Sequence, residues 1–189
     1  MKTNRLEAFS DGVLAIIITI MVLELHAPEA ANLESLLPEV PTIISFLLSF
    51  IYLGTYWNNH HHMMHVTEQV NGKILWANLH LLFWLSLIPF VTTWMGEHYL
   101  EAAPVGLYGF VLLMSGLAYY LLQGFILRHH DSDFILRKVI GKDFKGKASL
   151  VLYLIGIAGS FLNTWIGIIC YVAVLILWVV PDRRIETNL

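Results

Sequence analysis

Two polar side chains, Ser10 and Asp11, stand inside the first long apolar run of the chain, Phe9–Leu25. A carboxylate this close to hydrocarbon is costly, so it must face protein or water rather than lipid. Two kinds of chemistry are open to it. It can lock neighbouring helices together through hydrogen bonds, or it can hold a proton or a cation. Candidate partners recur at the same depth in the next two apolar segments, as Tyr-Trp-Asn-Asn-His over 56–60 and Trp-Ala-Asn-Leu-His over 76–80. A buried network is therefore expected to join Arg5, Ser10 and Asp11 to members of the set Trp57, Asn58, His60, Asn78 and His80. A second cluster follows directly: His60 to His65 packs four histidines and two methionines into six residues. His61 and His65 have the i, i+4 spacing of metal ligands on a helix. The run supplies no thiolate or carboxylate of its own, so it reads as an interfacial helix end, and no metal is expected. HExxH, Gly-x-Ser-x-Gly and Walker sequences are absent, which points away from an enzyme, and no cofactor is expected.

The first apolar run also carries a ladder of bulky residues. At 100° per residue, Ile16, Ile20 and Leu23 fall on one stripe with Thr19 at its edge, and Asp11 points roughly 140° away from Ile16. One helix thus has two faces, one apolar and one holding a buried acid. An apolar stripe in a membrane helix is ordinarily a lipid-facing or packing surface. It can also form a narrow water-excluding ring when several copies surround an axis.

These features need a membrane to make sense. Hydrophobic residues make up 57% of the 189-residue chain and charged residues only 13%, with a mean hydropathy of +0.67. Soluble domains carry about 25% charge. Six spans are expected, at about 6–25, 38–60, 74–95, 104–127, 147–163 and 165–181, in a single domain over 1–189, each near the ~20 residues a bilayer requires. Pro89 falls inside the third and is expected to kink it. The connection over 128–147 is polar, with a candidate interfacial helix through Phe134–Leu136 and Val139–Ile140. The single cysteine, Cys170, lies in an apolar run and reads as a packing residue.

Charge sets the orientation. All eleven basic residues fall on one side of a six-span arrangement: Lys2, Arg5, Lys73, Arg128, Arg137, Lys138, Lys142, Lys145, Lys147, Arg183 and Arg184. The positive-inside rule makes that side, and both termini, cytoplasmic. The opposite side carries Glu24, Glu29, Glu34, Glu39, Glu97 and Glu101 without a Lys or Arg. Such a rim either concentrates cations or is simply solvated.

The segment Arg5-Leu-Glu-Ala-Phe9-Ser10-Asp11-Gly12 resembles the Arg-x-x-x-Phe-Ser-Asp signature of the transmembrane protein 175 family of bacterial and lysosomal potassium channels. Tyr56–His60 and the stretch from Asn78 through Leu85-Ser-Leu-Ile-Pro-Phe90 support the likeness. The resemblance is strong over the first half; the second half matches mainly in span count. It implies an all-α polytopic protein with six transmembrane helices per subunit. A single-repeat chain of this kind would assemble as a homotetramer in a bacterial inner or plasma membrane. The first helix of each of four subunits would line a central pore without a re-entrant filter. Carried over by position, the constriction falls on Ile16, Ile20 and Leu23, flanked by Thr19, and Arg5, Phe9, Ser10 and Asp11 form a structural network behind the pore helix.

The function expected is passive potassium-permeable cation conduction, with Glu24, Glu29, Glu97 and Glu101 attracting cations at the outer mouth. The permeant ion, lipid and other copies of the chain are the expected partners, and nucleic acid is not. Two rivals remain: a proton-coupled transporter using Asp11 and His80, and a non-conducting structural subunit. No inverted repeat or pair of broken helices favours the first.

Overall fold

Pro89 decides how the third apolar segment is built. In the computed structural model, which describes residues 3–130 and 144–179, that segment is two helices laid end to end. They are α3 (Gly72–Ser86) and α4 (Ile88–Glu97), with the break at Leu87. Pro89 lies in the first turn of α4, where a missing N–H leaves no bond unmade. The disruption expected at Pro89 is a one-residue break at Leu87, whose backbone stays helical, inside one continuous rod.

The other helices are α1 (Asn4–Leu23), α2 (Val40–His65), α5 (Ala102–His129), α6 (Phe144–Ser160) and α7 (Thr164–Val179). A short 3-10 helix, Leu33–Glu39, leads into α2, and Pro41 stands in the first turn of α2. With α3 and α4 counted as one rod, six helical rods run through the described residues, and the fold is all-α. Four of the rods, Asn4–Leu23, Leu33–His65, Gly72–Glu97 and Ala102–His129, are long and apolar enough to cross a membrane. Large apolar side chains such as Phe83, Phe90, Ile155 and Ile169 point outward, which suits lipid and not water. The chain is an integral membrane protein. The expected interfacial stretch at Phe134–Leu136 and Val139–Ile140 lies outside the described residues, as do Lys2, Arg137, Lys138, Lys142, Arg183 and Arg184.

Packing divides the bundle in two. α1 leans on α2, α3 and α4, whereas α5 is the central rod, touching α3, α4, α6 and α7. The two halves are joined by different means. Between α2, α4 and α5 the contact is a buried hydroxyl relay. Ser49 Oγ lies 2.9 Å from Tyr108 Oη and 2.7 Å from Thr92 Oγ1. Among α5, α6 and α7 it is one large side chain set against glycines. Tyr171 is fully buried and donates from Oη to the Val105 carbonyl at 3.2 Å. Its own carbonyl accepts from Tyr52 Oη, which ties α7 to α2. The ring is seated between α5 and α6 because Gly109 and Gly156 carry no Cβ.

A Cβ on Gly109 would meet Tyr171 Oη at 2.0 Å, and one on Gly156 would meet the same ring at 2.6 Å. Gly124, on the same α5, has nothing within 4 Å of that position. Overpacking of a filled core costs about 1–3 kcal/mol, whereas Gly→Ala in an open helix position gains up to about 1 kcal/mol. Gly109→Ala is therefore expected to lower the melting temperature in fluorescence-detected size exclusion, and Gly124→Ala to leave it equal or higher. Equal melting temperatures for the two variants would contradict the wedge.

Candidate functional site

The site is built on α1, whose two faces have opposite environments. Leu6, Ser10, Leu14, Ile17 and Met21 form the buried face, at three- and four-residue spacing. Opposite them Ile16, Ile20 and Leu23 are 59%, 42% and 76% exposed, and Thr19 is exposed beside them. The Thr19 hydroxyl donates to the Ile16 carbonyl at 2.8 Å, so the stripe presents an apolar surface with its one hydroxyl internally bonded.

The buried face is held by a directional chain of hydrogen bonds. The His60 ring nitrogen Nε2 lies 2.8 Å from Asn78 Oδ1. An amide oxygen only accepts, so Nε2 carries the proton and donates. The Asn78 amide then donates to Ser10 Oγ at 2.9 Å, and Ser10 donates to the Leu6 carbonyl at 2.8 Å. Ser10 and Asn78 are fully buried and His60 is 2% exposed. α1, α2 and α3 are thereby joined at one point. The far nitrogen of His60, Nδ1, is buried without a hydrogen-bond partner among the described residues.

A second set of contacts runs beside the first, nearer the surface. Trp57 Nε1 donates to Asp11 Oδ1 at 3.0 Å, and His61 Nδ1 lies 2.8 Å from Glu7 Oε1. Glu7 and Asp11 are four residues apart on α1, and Trp57 and His61 are four apart on α2. The two bonds are therefore parallel rungs. Trp57 stacks on His61 at 6.1 Å between ring centroids, and His61 stacks on His65 at 6.1 Å. Thr3 closes the ladder by donating from its hydroxyl to the Thr67 carbonyl.

The structure thus brings together Ser10, Asp11, Trp57, His60 and Asn78. It does not bring Arg5, Phe9, Asn58 or His80 into that set. Arg5 and Phe9 are exposed on the same side of α1 as Ile16. Asn58 is exposed, and His80 Nε2 accepts from Trp84 on its own helix at 2.9 Å. Asp11 and His80 therefore have separate partners. Glu7 and His61 also belong to the brace, although sequence reasoning passed over Glu7 and weighed His61 only as a metal-ligand candidate with His65. The signal available was their i, i+4 spacing from Asp11 and Trp57. Among the described residues no group of three or more His, Cys, Asp or Glu side chains is placed to hold a metal ion, His60–His65 included. Glu24, Glu29, Glu97 and Glu101 are all exposed. Glu24 caps the end of α1, Glu97 ends α4 and Glu101 precedes α5.

Removing the joint tests its weight. A buried hydrogen-bonding group left without its partner costs about 1–3 kcal/mol. Asn78→Leu leaves the His60 Nε2 proton without its acceptor and removes the donor to Ser10, which keeps its bond to the Leu6 carbonyl. It is expected to lower thermal stability clearly more than Trp84→Phe, which cuts a bond within α3 alone. The reverse order in a melting series would refute the brace.

Known proteins resemble this chain in sequence and in fold. Residues 5–89 match the family model described as endosomal/lysosomal potassium channel TMEM175. That range includes Ser10, Asp11, Trp57, His60 and Asn78. A protein from Chryseobacterium sp. (strain P1-3) named a potassium channel is 50% identical over 189 residues, covering 100% of this chain and 98% of its own. A potassium channel from Chamaesiphon minutus is 28% identical over 186 residues, covering 90% of this chain and 91% of its own. The crystal structure of a lysosomal potassium-selective channel TMEM175 homolog from Chamaesiphon minutus superposes with a TM-score of 0.79. It is 29% identical, and the match covers 93% of this chain and 95% of that one. With half of its residues identical to a full-length relative, the chain belongs to the TMEM175 family.

Proposed function

We propose that the chain, one six-span domain over 1–189, is the subunit of a homotetrameric potassium-permeable cation channel in which four copies of α1 line a central pore. The observation that carries this reading is the exposed Ile16, Ile20 and Leu23 stripe, opposite the face that the Asn78 brace fixes. Relatives named as potassium channels give the ion. Potassium is the permeant species, and no resident cofactor takes part.

Four copies of the stripe around one axis make three stacked apolar rings. A pore lined this way excludes water when narrow and conducts only when widened enough to wet. An ion at mid-membrane without water or protein ligands is strongly disfavoured, so the rings are the barrier and the gate. Thr19 lies between Ile16 and Ile20 in the chain. Its hydroxyl oxygen keeps acceptor capacity after donating to the Ile16 carbonyl, so it can help hold the hydration shell of a passing ion. Glu24, Glu29, Glu97 and Glu101 raise the local cation concentration at the mouth where α1 ends. In this reading Asp11 braces the helix through its bond from Trp57 rather than lining the pore.

Orientation follows the charges. Arg5, Lys73, Arg128, Lys145 and Lys147 all belong to the bundle end that holds the start of α1, which supports a cytoplasmic position for that end by the positive-inside rule. The membrane is then the bacterial inner or plasma membrane.

The test is potassium flux from liposomes. Ile16→Asn, which puts a polar amide into the innermost ring, is expected to raise basal flux several-fold, while Val151→Asn, on the exposed surface of α6, leaves it unchanged. A well-folded Ile16→Asn protein with wild-type flux would overturn the pore assignment. Single-channel recording under opposed potassium and sodium gradients reads the selectivity directly.

A further inference from the structure

A cavity of about 780 Å³ opens between α3 and α5 at the bundle end that holds the start of α3, well away from the stripe on α1. Its walls include Lys73, Trp76 and His80 from α3 and Leu121 and Phe125 from α5. Two features define what it can hold. The floor is apolar and aromatic, with Trp76 left 75% exposed at its edge. The lining carries one cation, Lys73, and no acidic residue, and Arg128 follows one turn beyond Phe125 on α5.

Helical spacing sets the two walls in register. Lys73, Trp76 and His80 recur at three and four residues along one face of α3, and Leu121, Phe125 and Arg128 do the same on α5. The two helices run in opposite directions, so Lys73 at the start of α3 and Arg128 at the end of α5 share one level. Neither the Lys73 ammonium nor the Arg128 guanidinium has an acidic or hydrogen-bonding partner among the described residues. His80 adds a donor. Its Nε2 accepts from Trp84, so the ring proton resides on Nδ1.

The geometry points to a binding site for one anionic phospholipid. Lys73 and Arg128 hold the phosphate, Trp76 lies at headgroup depth, and an acyl chain runs along Leu121 and Phe125. A phospholipid matches the pattern because it joins an anionic headgroup to a long apolar tail at this depth. Basic residues near a bilayer surface attract acidic lipid, and tryptophan favours the interface. The proposal rests on the orientation proposed above for which leaflet supplies the lipid, here the cytoplasmic one.

The test uses the purified full chain in detergent, titrated with phosphatidylglycerol or phosphatidylcholine carrying the same dibrominated acyl chains. The readout is the quenching of Trp76, taken as wild type minus Trp76→Phe. Phosphatidylglycerol is expected to quench at clearly lower concentration than phosphatidylcholine. Lys73→Gln and Arg128→Gln are each expected to weaken that binding about fivefold. Native mass spectrometry, counting retained phosphatidylglycerol per subunit, gives the same comparison without the tryptophan variant. Equal quenching by the two lipids overturns the proposal, as does a preference that survives both glutamine variants. Displacement of the quencher by inorganic phosphate alone would make the occupant a free anion and overturn the lipid. Potassium flux by the same protein is scored separately. Flux without lipid preference defeats this proposal alone, and lipid preference without flux defeats the channel reading alone.

Discussion

Asn78 joins three helices at a depth where water cannot substitute for a lost partner. Its carbonyl receives the His60 proton and its amide donates to Ser10, so one side chain fixes α2 and α1 to α3. In hydrocarbon every polar group must find its partner within the protein, which makes such a joint stiff in rotation as well as in distance. If α1 turned by one residue, Ser10 would leave Asn78, and Asp11 would leave Trp57 in the same movement. The azimuth of α1 is therefore set by polar chemistry, and the exposed position of Ile16, Ile20 and Leu23 is a consequence of it.

The second half of the bundle is organised by shape. Tyr171 fills the space that Gly109 and Gly156 leave open, and Gly167 brings α7 so close to α6 that a Cβ there would meet Ser160 Oγ at 2.1 Å. This is packing of small residues against large ones, the principal means of association once the hydrophobic effect no longer separates helix from surroundings. It gives α5, α6 and α7 a rigid mutual arrangement. The hydroxyl relay of Ser49, Tyr108 and Thr92 then carries that rigidity across to α2 and α4. α1 is held by α2, α3 and α4, and its Ile16, Ile20 and Leu23 side stays uncovered.

Much of this was legible in the chain because membrane sequences advertise their buried polar groups. Ser10, Asp11, Trp57, His60 and Asn78 stood out against apolar surroundings, and depth alone paired them. Depth does not give azimuth. Asn58 is two residues from His60, and His80 two from Asn78, so each points roughly 160° away from its buried neighbour on a helix. Both were expected in the network, and both face elsewhere. Phe9 and Arg5 left it for the same reason, since they share the exposed side of α1 with Ile16. Glu7 was hidden by its place in the first turn of α1, and His61 was weighed only as a metal ligand beside His65. Pro89 was visible as a disruption, and the break it accompanies lies at Leu87. What the sequence did not reveal is the close approach of α4 to the Thr42 backbone at Gly96, where a Cβ would be 2.7 Å from its Cα.

The exposed face of α1 would be odd if its only neighbour were lipid. Beside the bulky stripe run Ala8, Gly12 and Ala15, all exposed, at spacings of four and three. A Cβ on Gly12 would meet nothing within 4 Å, so no contact inside the subunit requires the glycine. Lipid gives no reason for small residues on one flank and large ones on the other, because acyl chains adapt to either. Helices that converge on an axis do give one. Small residues on the flank let adjacent helices approach closely, and large ones turned to the centre then meet across a narrow gap. In the proposed tetramer the flank and the stripe are thus two parts of one device. The first sets how near the four helices come, and the second sets how little water remains between them.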